Sequence, residues 1–178
     1  EVVSVLLGIE QRQALQGRFV LLAPLRASYP LLLASTSPRR RELLTELDLN
    51  FEVIDGRLDD AAEHTIVRAS EARGLGPAEI VKRIAVATLM ATLPRLVPGQ
   101  RALTADTTVA SEGRPLGKAS DRAQARSMLR SLAGSEHHVH TGVAAVDAHG
   151  RLKVDVATSR VTMKAFDEAT GKVLWDAP

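Results

Sequence analysis

Residues 35–41 read STSPRRR and combine three hydroxyl side chains with three consecutive arginines. Ser37 followed by Pro38 is typical of a helix N-cap and first helical position. The free N–H groups of a helix start, the hydroxyls and the guanidinium forks all suit phosphate oxygens. The segment therefore indicates an anion site, and a capped helix with solvated arginines is the alternative. The candidate anion ligands are Ser35, Ser37, Arg39 and Arg40.

Two further polar segments follow later in the chain. Asp106 comes directly after the apolar run ALTA, at a position where a general base or a magnesium ligand could stand. A turn-forming aspartate is the alternative. Lys118 ends the segment GRPLGK, from which a lysine could reach a phosphate as a point charge. A surface lysine in a turn is the alternative there.

Three histidines lie close together in the segment HHVH. In a strand, His138 and His140 share a face and could chelate a metal. Zinc usually needs a third ligand of matching geometry, and the sequence offers none. His137, after a predicted helix end, is expected to be a hydrogen-bonding structural residue.

The composition limits the class of protein. The chain has 178 residues, 45% hydrophobic but only 3% aromatic, so a single domain with a core of Leu, Val, Ile and Ala is expected. The absence of cysteine excludes disulfides and thiolate chemistry. A formal charge of +2 does not indicate general coating of nucleic acid. No apolar run is long enough to predict a membrane span.

The elements that must position these residues alternate between strand and helix. The order strand, helix, strand, helix, strand, helix and hairpin predicts an α/β domain with a mixed sheet. Ligand sites in such domains lie where strands lead into helices or loops. The predicted strands are 31–34, 51–54, 102–105 with its end at Asp106, 139–146 and 152–163. Residues 107–110 are expected to continue extended, and the predicted helices start at Pro38, at Pro77 and after a Ser120 cap.

Four segments in this order resemble the Maf family of nucleotide pyrophosphatases: ASTSPRRRELL, ADTTV, GRPLGK and LAGSEHHVHTG. The resemblance runs from about Leu31 to about Trp175. It implies a mixed sheet flanked by helices, a fold shared with house-cleaning inosine-triphosphate pyrophosphatases. Residues 31–178 are then a Maf-like domain, expected to be truncated at its C-terminus. Residues 1–30 are an N-terminal extension of unknown role.

The resemblance also implies roles for individual residues. Asp106 matches the proton acceptor and a ligand of a divalent Mg or Mn ion, with Asp59 as the nearest match to a second acidic ligand. Arg39 and Thr107 match positions of the dTTP/UTP-preferring subgroup. The phosphate-site and other substrate-binding positions fall on Ser35, Ser37, Arg40, Lys82 and Lys118.

Two hypotheses of function stay open at this point. The first is hydrolysis of a dTTP- or UTP-type nucleoside triphosphate to the monophosphate and pyrophosphate, with a homodimer as one arrangement. The second is a catalytically degenerate Maf-like domain that acts as a structural subunit with protein or RNA partners, for example in a mitochondrial ribosomal assembly. We expect a cytoplasmic protein, with the mitochondrion as the alternative.

Overall fold

The computed structural model describes residues 29–56, 58–165 and 175–176. The strands in these ranges are β1 (Leu31–Ala34), β2 (Phe51–Ile54), β3 (Ala102–Ser111), β4 (Arg114–Leu116), β5 (Glu136–Val146), β6 (Leu152–Met163) and β7 (Trp175–Asp176). The helices are α1 (Pro38–Glu46), α2 (Asp60–Glu71), α3 (Pro77–Thr92) and α4 (Arg122–Leu132), and a 3₁₀ turn, Leu93–Arg95, follows α3. Residues 1–28 of the predicted N-terminal extension lie outside the described residues. Most of the chain after position 165, where we expected the domain to be incomplete, lies outside them as well.

The strands form one sheet in the order β2-β1-β3-β5-β6-β7, with β4 paired to the end of β3. β1 runs parallel to β2 and β3. β5, β6 and β7 add antiparallel strands on the other side of β3. The predicted mixed α/β sheet is therefore confirmed.

Helix starts follow local capping chemistry. α1 begins as predicted, with Ser37 as the N-cap and Pro38 as the first helical residue. The prediction that Ser120 caps α4 is wrong by one residue. Asp121 is the cap, because its Oδ1 accepts from the Gln124 backbone N–H at 2.8 Å, while the Gln124 side chain returns to the Ser120 N–H at 2.5 Å. This reciprocal pair satisfies two backbone donors that a lone serine hydroxyl could not.

Two features differ from the sequence prediction. Helix α2 was not predicted, and it begins where Asp59 accepts from the Ala62 N–H at 2.7 Å. Asp106 does not end a strand but lies in the middle of the ten-residue β3. β3 stays extended beyond Asp106 because β5 pairs with it without interruption from Ala102 to Ala110.

Helix α3 covers one face of the sheet and closes the core. Its buried Ala85 and Leu89 pack against Leu32, Ala102 and neighbouring small aliphatic residues. The helix backbone also touches β5 directly: a Cβ added to Gly142 would lie 2.6 Å from the carbonyl of Val81. Only glycine allows this approach. No helix in the described part of the chain is long and apolar enough to cross a lipid bilayer.

Candidate active site

A cleft of about 770 Å³ opens where β1 ends beside the middle of β3. The polar residues of the loop after β1 and the first turn of α2 both line it. Its described lining residues are Ala34, Ser35, Thr36, Ser37, Arg40, Asp55, Leu58, Asp59, Asp60, Glu63, Ile84, Thr88, Ala105, Asp106 and Lys118. The strand-to-helix junction chosen from the sequence is therefore where the cleft lies.

Arg40 connects the loop after β1 to the sheet. Its Nη1 donates to the buried Ser35 Oγ at 2.9 Å, and its Nη2 donates to Thr107 Oγ1 at 3.2 Å. Thr107 is held in turn by Thr141 of β5, with the two hydroxyl oxygens 3.0 Å apart. Burial lowers the pKa of Arg40 and nearby Asp106 raises it, yet a guanidinium stays protonated in proteins. The cleft thus has a fixed positive charge beside the loop.

Asp106 is an acid whose environment favours its protonated form. Burial, and then the negative charge of Glu63, raise the pKa of Asp106 to about 6. Arg40, the backbone N–H of Thr107 and Lys118 act in the opposite direction and limit the rise. A carboxylate with a pKa near 6 is ionised at neutral pH but remains a stronger base than an ordinary aspartate.

Lys118 lines the same cleft and contacts the first turn of α2. Its Nζ is 3.7 Å from Asp60 Oδ1 and 3.5 Å from Glu63 Oε2. The Lys118 side chain is 79% exposed, so these ion pairs contribute little stability and leave the ammonium free to move.

Sequence reasoning missed Glu63. The sequence does contain a sign of helix α2. Asp59 precedes Ala62 by three residues and Glu63 by four, a pattern typical of a helix N-terminus with acids in its first turn. Recognising α2 would have placed Glu63 on the first turn, facing the same side as its N-cap. The proximity of Glu63 to Asp106 is a tertiary relationship that no local pattern indicates.

Three of the predicted substrate-binding residues, Arg39, Lys82 and Thr107, are not among the described residues that line the cleft. Thr107 contacts the cleft residue Arg40, whereas Arg39 and Lys82 lie apart from the cleft. Arg39 is exposed on α1. Lys82 pairs with Glu79 at 2.6 Å on α3 and lines a separate groove of about 440 Å³ between α2, α3 and β6. The structure therefore brings Ser35, Ser37, Arg40, Thr107, Lys118, Asp59 and Asp106 together around the cleft and leaves these two apart.

Acidic side chains outnumber basic side chains in the lining of the cleft. Five carboxylates line it, against two cations, Arg40 and Lys118. Within the described ranges, no three acidic or histidine side chains are arranged as a ready-made metal site. Carboxylate oxygens are nevertheless the ligands that Mg²⁺ and Mn²⁺ prefer, and Mg²⁺ commonly uses one or two of them with substrate phosphates completing its shell. The donor set fits such an ion.

The fold and cleft define an α/β protein whose polar cleft contains Arg40, Lys118 and a carboxylate of raised pKa, Asp106. The chain belongs to the Maf-like protein family, whose model matches residues 30–177. It is 39% identical over 139 residues to the dTTP/UTP pyrophosphatase of Pelotomaculum thermopropionicum, which covers 78% of this chain and 68% of the relative. It is 44% identical over 130 residues to the protein of the same name from Burkholderia pseudomallei, covering 70% and 61%.

A third relative has a broader name. The nucleoside triphosphate pyrophosphatase of Rhodopseudomonas palustris is 36% identical over 143 residues, 80% of this chain and 67% of the relative. The matches thus span between 61 and 68% of the length of these three relatives. Among solved structures, the Staphylococcus aureus Ham1 protein is similar with a TM-score of 0.48 and 13% identity over 83% of this chain and 86% of that one.

Proposed function

We propose that this protein hydrolyses a nucleoside triphosphate to the monophosphate and pyrophosphate. One observation carries the proposal: Asp106, a carboxylate of raised pKa, lies in the same cleft as the Ser35–Arg40 anion pocket. A base beside bound phosphates can activate water for attack on phosphorus. The names of the family relatives support the same reaction.

In this reaction, Asp106, Arg40, Lys118 and Ser35 would each have a separate role. Asp106 takes the proton of a water molecule that attacks the α-phosphorus. The bond between the α-phosphorus and the oxygen bridging it to the β-phosphoryl group breaks, and pyrophosphate leaves with the electron pair. Arg40 and Lys118, the two cations that line the cleft, neutralise the charge of the leaving group. Ser35 orients the Arg40 guanidinium through their 2.9 Å hydrogen bond.

We further propose that a divalent ion, Mg²⁺ or Mn²⁺, binds with the substrate through Asp106 and Asp59. The excess of carboxylates over cations in the cleft supports this, because a triphosphate would otherwise add negative charge to a negative surface. When bound, the ion would supply charge neutralisation of the phosphoryl oxygens.

The proposed substrates are dTTP and UTP. The support is the printed activity of the relatives together with the retention of Arg39 and Thr107 at the positions that the resemblance links to this preference. Thr107 contributes through its bond to Arg40. Arg39 is exposed on α1, one residue before Arg40, and a bound substrate would have to reach beyond the described cleft lining to contact it.

The direct test is pyrophosphate release from dTTP and UTP with Mg²⁺ or Mn²⁺, with GTP and ATP for comparison. We expect turnover that Asp106→Asn abolishes. As a matched control, Asp155→Asn changes an exposed aspartate of β6, outside the cleft, and should leave the rate unchanged. Absence of turnover with all four nucleotides would exclude the proposed reaction.

A second candidate function is that of a structural subunit in a larger assembly. The observation that favours it is the outer side of β6, where the described part of β7 pairs only with Thr162 and Met163. Leu152 and Val154 of β6 are exposed by 45 and 41%. A partner that covers the strand edge would satisfy its backbone groups. Size-exclusion chromatography at increasing concentration tests this candidate, and a stable monomer with full turnover would contradict it.

A further inference from the structure

Thr141 is a buried polar residue of β5 that lies between two valines on the same face of the sheet. It is 1% exposed, and Val139 and Val143 are two positions away on either side. A buried hydroxyl costs stability unless it is hydrogen-bonded, so valine would suit this position better in a purely apolar environment. Among the described residues, the Thr141 hydroxyl has one partner, Thr107, with the two oxygens 3.0 Å apart. The bond to Thr107 is therefore what this hydroxyl supplies.

Thr107 lies in a stretch of β3 that has a strand neighbour on one side only. β5 pairs with β3 throughout this stretch. On the other side of β3, the pairing with β1 ends at Thr104 and the pairing with β4 begins at Val109. Residues 105–108 have no partner on that side among the described strands, and Asp106 lines the cleft there. Strand pairing therefore does not fix the loop after β1 against this part of β3.

Thr107 contacts both an acidic and a basic group of the cleft. Its backbone N–H donates to the Asp106 carboxylate, and its Oγ1 accepts from Arg40 Nη2 at 3.2 Å. Because a guanidinium can only donate, the Thr107 hydroxyl keeps its own proton and one further acceptor site for Thr141. Whichever of the two threonines donates, their bond restricts the rotation of the Thr107 hydroxyl. Thr107 is exposed and Thr141 is buried, so Thr141 anchors the pair in the sheet.

Arg40 depends on this pair for its connection to the sheet. Its described side-chain hydrogen bonds go to two neutral hydroxyls, those of Ser35 and Thr107. Ser35 lies five residues earlier, in the loop that leads into the helix of Arg40 itself. None of the close ion pairs in the described part of the chain involves Arg40. The guanidinium is thus oriented by neutral partners, which leaves its charge available to an anion.

We propose that Thr141 is a positioning residue for phosphate binding and that it acts through Thr107 on Arg40. This inference rests on the proposed function and adds to it a residue that does not line the cleft. A cross-strand threonine pair also stabilises a sheet by itself. A purely structural role would therefore change stability without changing affinity for an anion. A positioning role makes affinity depend on the Thr141 hydroxyl only while the Arg40 fork is intact.

Binding of inorganic pyrophosphate to the full chain, measured by calorimetry with Mg²⁺, tests the inference, because the proposed reaction does not consume this product. Thr141→Val removes the hydroxyl and keeps the branched shape. We expect it to weaken pyrophosphate binding by about threefold, as for one lost neutral hydrogen bond. Thr141→Ser keeps the hydroxyl and should bind like the parent. In the Arg40→Lys background, Thr141→Val should have no further effect, because residues that act as one unit are not additive.

Steady-state kinetics with dTTP gives a second measure. We expect Thr141→Val to raise KM by the same factor and to leave kcat within about twofold, as for an interaction that holds the substrate and the transition state equally. If the parent chain shows no turnover, the proposed function fails, and the calorimetry still decides the role of Thr141.

Thr158→Val is the matched control, since Thr158 of β6 also makes a cross-strand side-chain bond, to His140 Nδ1 at 2.8 Å. It has no described bond to Thr107 or Arg40 and should leave pyrophosphate affinity unchanged. Urea unfolding checks that each variant is folded. If Thr141→Val does not fold, Thr107→Val breaks the same bond from its exposed end and should weaken binding at least threefold. The inference is overturned if the parent does not bind pyrophosphate, if the valine variant binds like the parent, if serine behaves like valine, or if the effects of Thr141→Val and Arg40→Lys add.

Discussion

Arg40 Nη2 lies 3.2 Å from Thr107 Oγ1, a residue 67 positions further along the chain. Nη1 of the same guanidinium donates to Ser35 Oγ at 2.9 Å. One side chain of α1 thereby fixes the loop after β1 against the central strand that carries Asp106. The loop after β1 and the strand that carries Asp106 are held together by this planar fork as well as by the backbone.

Arg40→Lys keeps the charge but cannot reproduce the fork, because an ammonium is a point donor on a flexible stem. We expect KM for dTTP to rise by about tenfold, which corresponds to one lost charge-assisted hydrogen bond of about 1.5 kcal/mol. Steady-state kinetics measures this change. Arg41→Lys is the control, since Arg41 Nη2 donates to the Thr36 carbonyl outside the Ser35–Thr107 bridge. Equal effects of the two substitutions would contradict a special role for Arg40.

The pH dependence of the rate follows from the pKa of Asp106, which burial and Glu63 raise to about 6. The base must be ionised, so kcat/KM should rise with pH through about 6 and level off above it. Glu63→Gln removes a negative charge that favours the protonated form, and the midpoint should move to lower pH. Glu79→Gln, on α3 outside the cleft, serves as the control and should leave the midpoint in place. An upward shift of the midpoint in Glu63→Gln would contradict the conclusion that Glu63 raises the pKa of Asp106.

Because the pKa of Asp106 is raised, its ionised form lowers the free energy of unfolding at neutral pH. The pKa of Asp106 is about 6 in the folded state, against an ordinary value of 3.8, so the folded state holds the proton more tightly. Protonated Asp106 stabilises the folded state fully at pH values below its pKa in the unfolded chain. This stabilisation is lost as the pH rises through its pKa in the folded state. Asp106→Asn should therefore raise the free energy of unfolding by about 1–3 kcal/mol near pH 8 and by much less near pH 4. Urea unfolding at both pH values measures it, and an equal change at both would refute the electrostatic cause.

Gly142→Ala tests the contact between α3 and β5. The new Cβ would lie 2.6 Å from the Val81 carbonyl, closer than atoms can pack, so the helix must move away. We expect a loss of about 1–3 kcal/mol in the free energy of unfolding, as for other overpacked cores. Gly76→Ala is the matched control, because a Cβ at that position meets no atom within 4 Å. A smaller loss at Gly142 than at Gly76 would contradict the close approach.

Much of this architecture could be predicted from local patterns. The apolar run before Ser35, the Ser37–Pro38 helix start and the alternation through His138 and His140 each carry a specific physical signal. Helix α2 was missed because its acidic start resembles a solvated loop, and its apolar residues are too few to mark a clear stripe. The relationships of Glu63 to Asp106 and of Arg40 to Thr107 come from sheet order, which local sequence does not encode.

The pairing pattern has a consequence for the order in which the molecule acquires structure. β5 and β6 are neighbours in the chain, joined by a turn in which Asp147 accepts from the backbone N–H groups of His149 and Arg151 at 2.9 Å each. β1 and β3 must instead meet across about 70 residues before Ala34 can pair with Thr104. Local pairing closes a short loop at low entropic cost, whereas distant parallel pairing is slow. The β5–β6 hairpin is therefore formed early during folding, and the cleft beside Arg40 is complete only when the first strand docks.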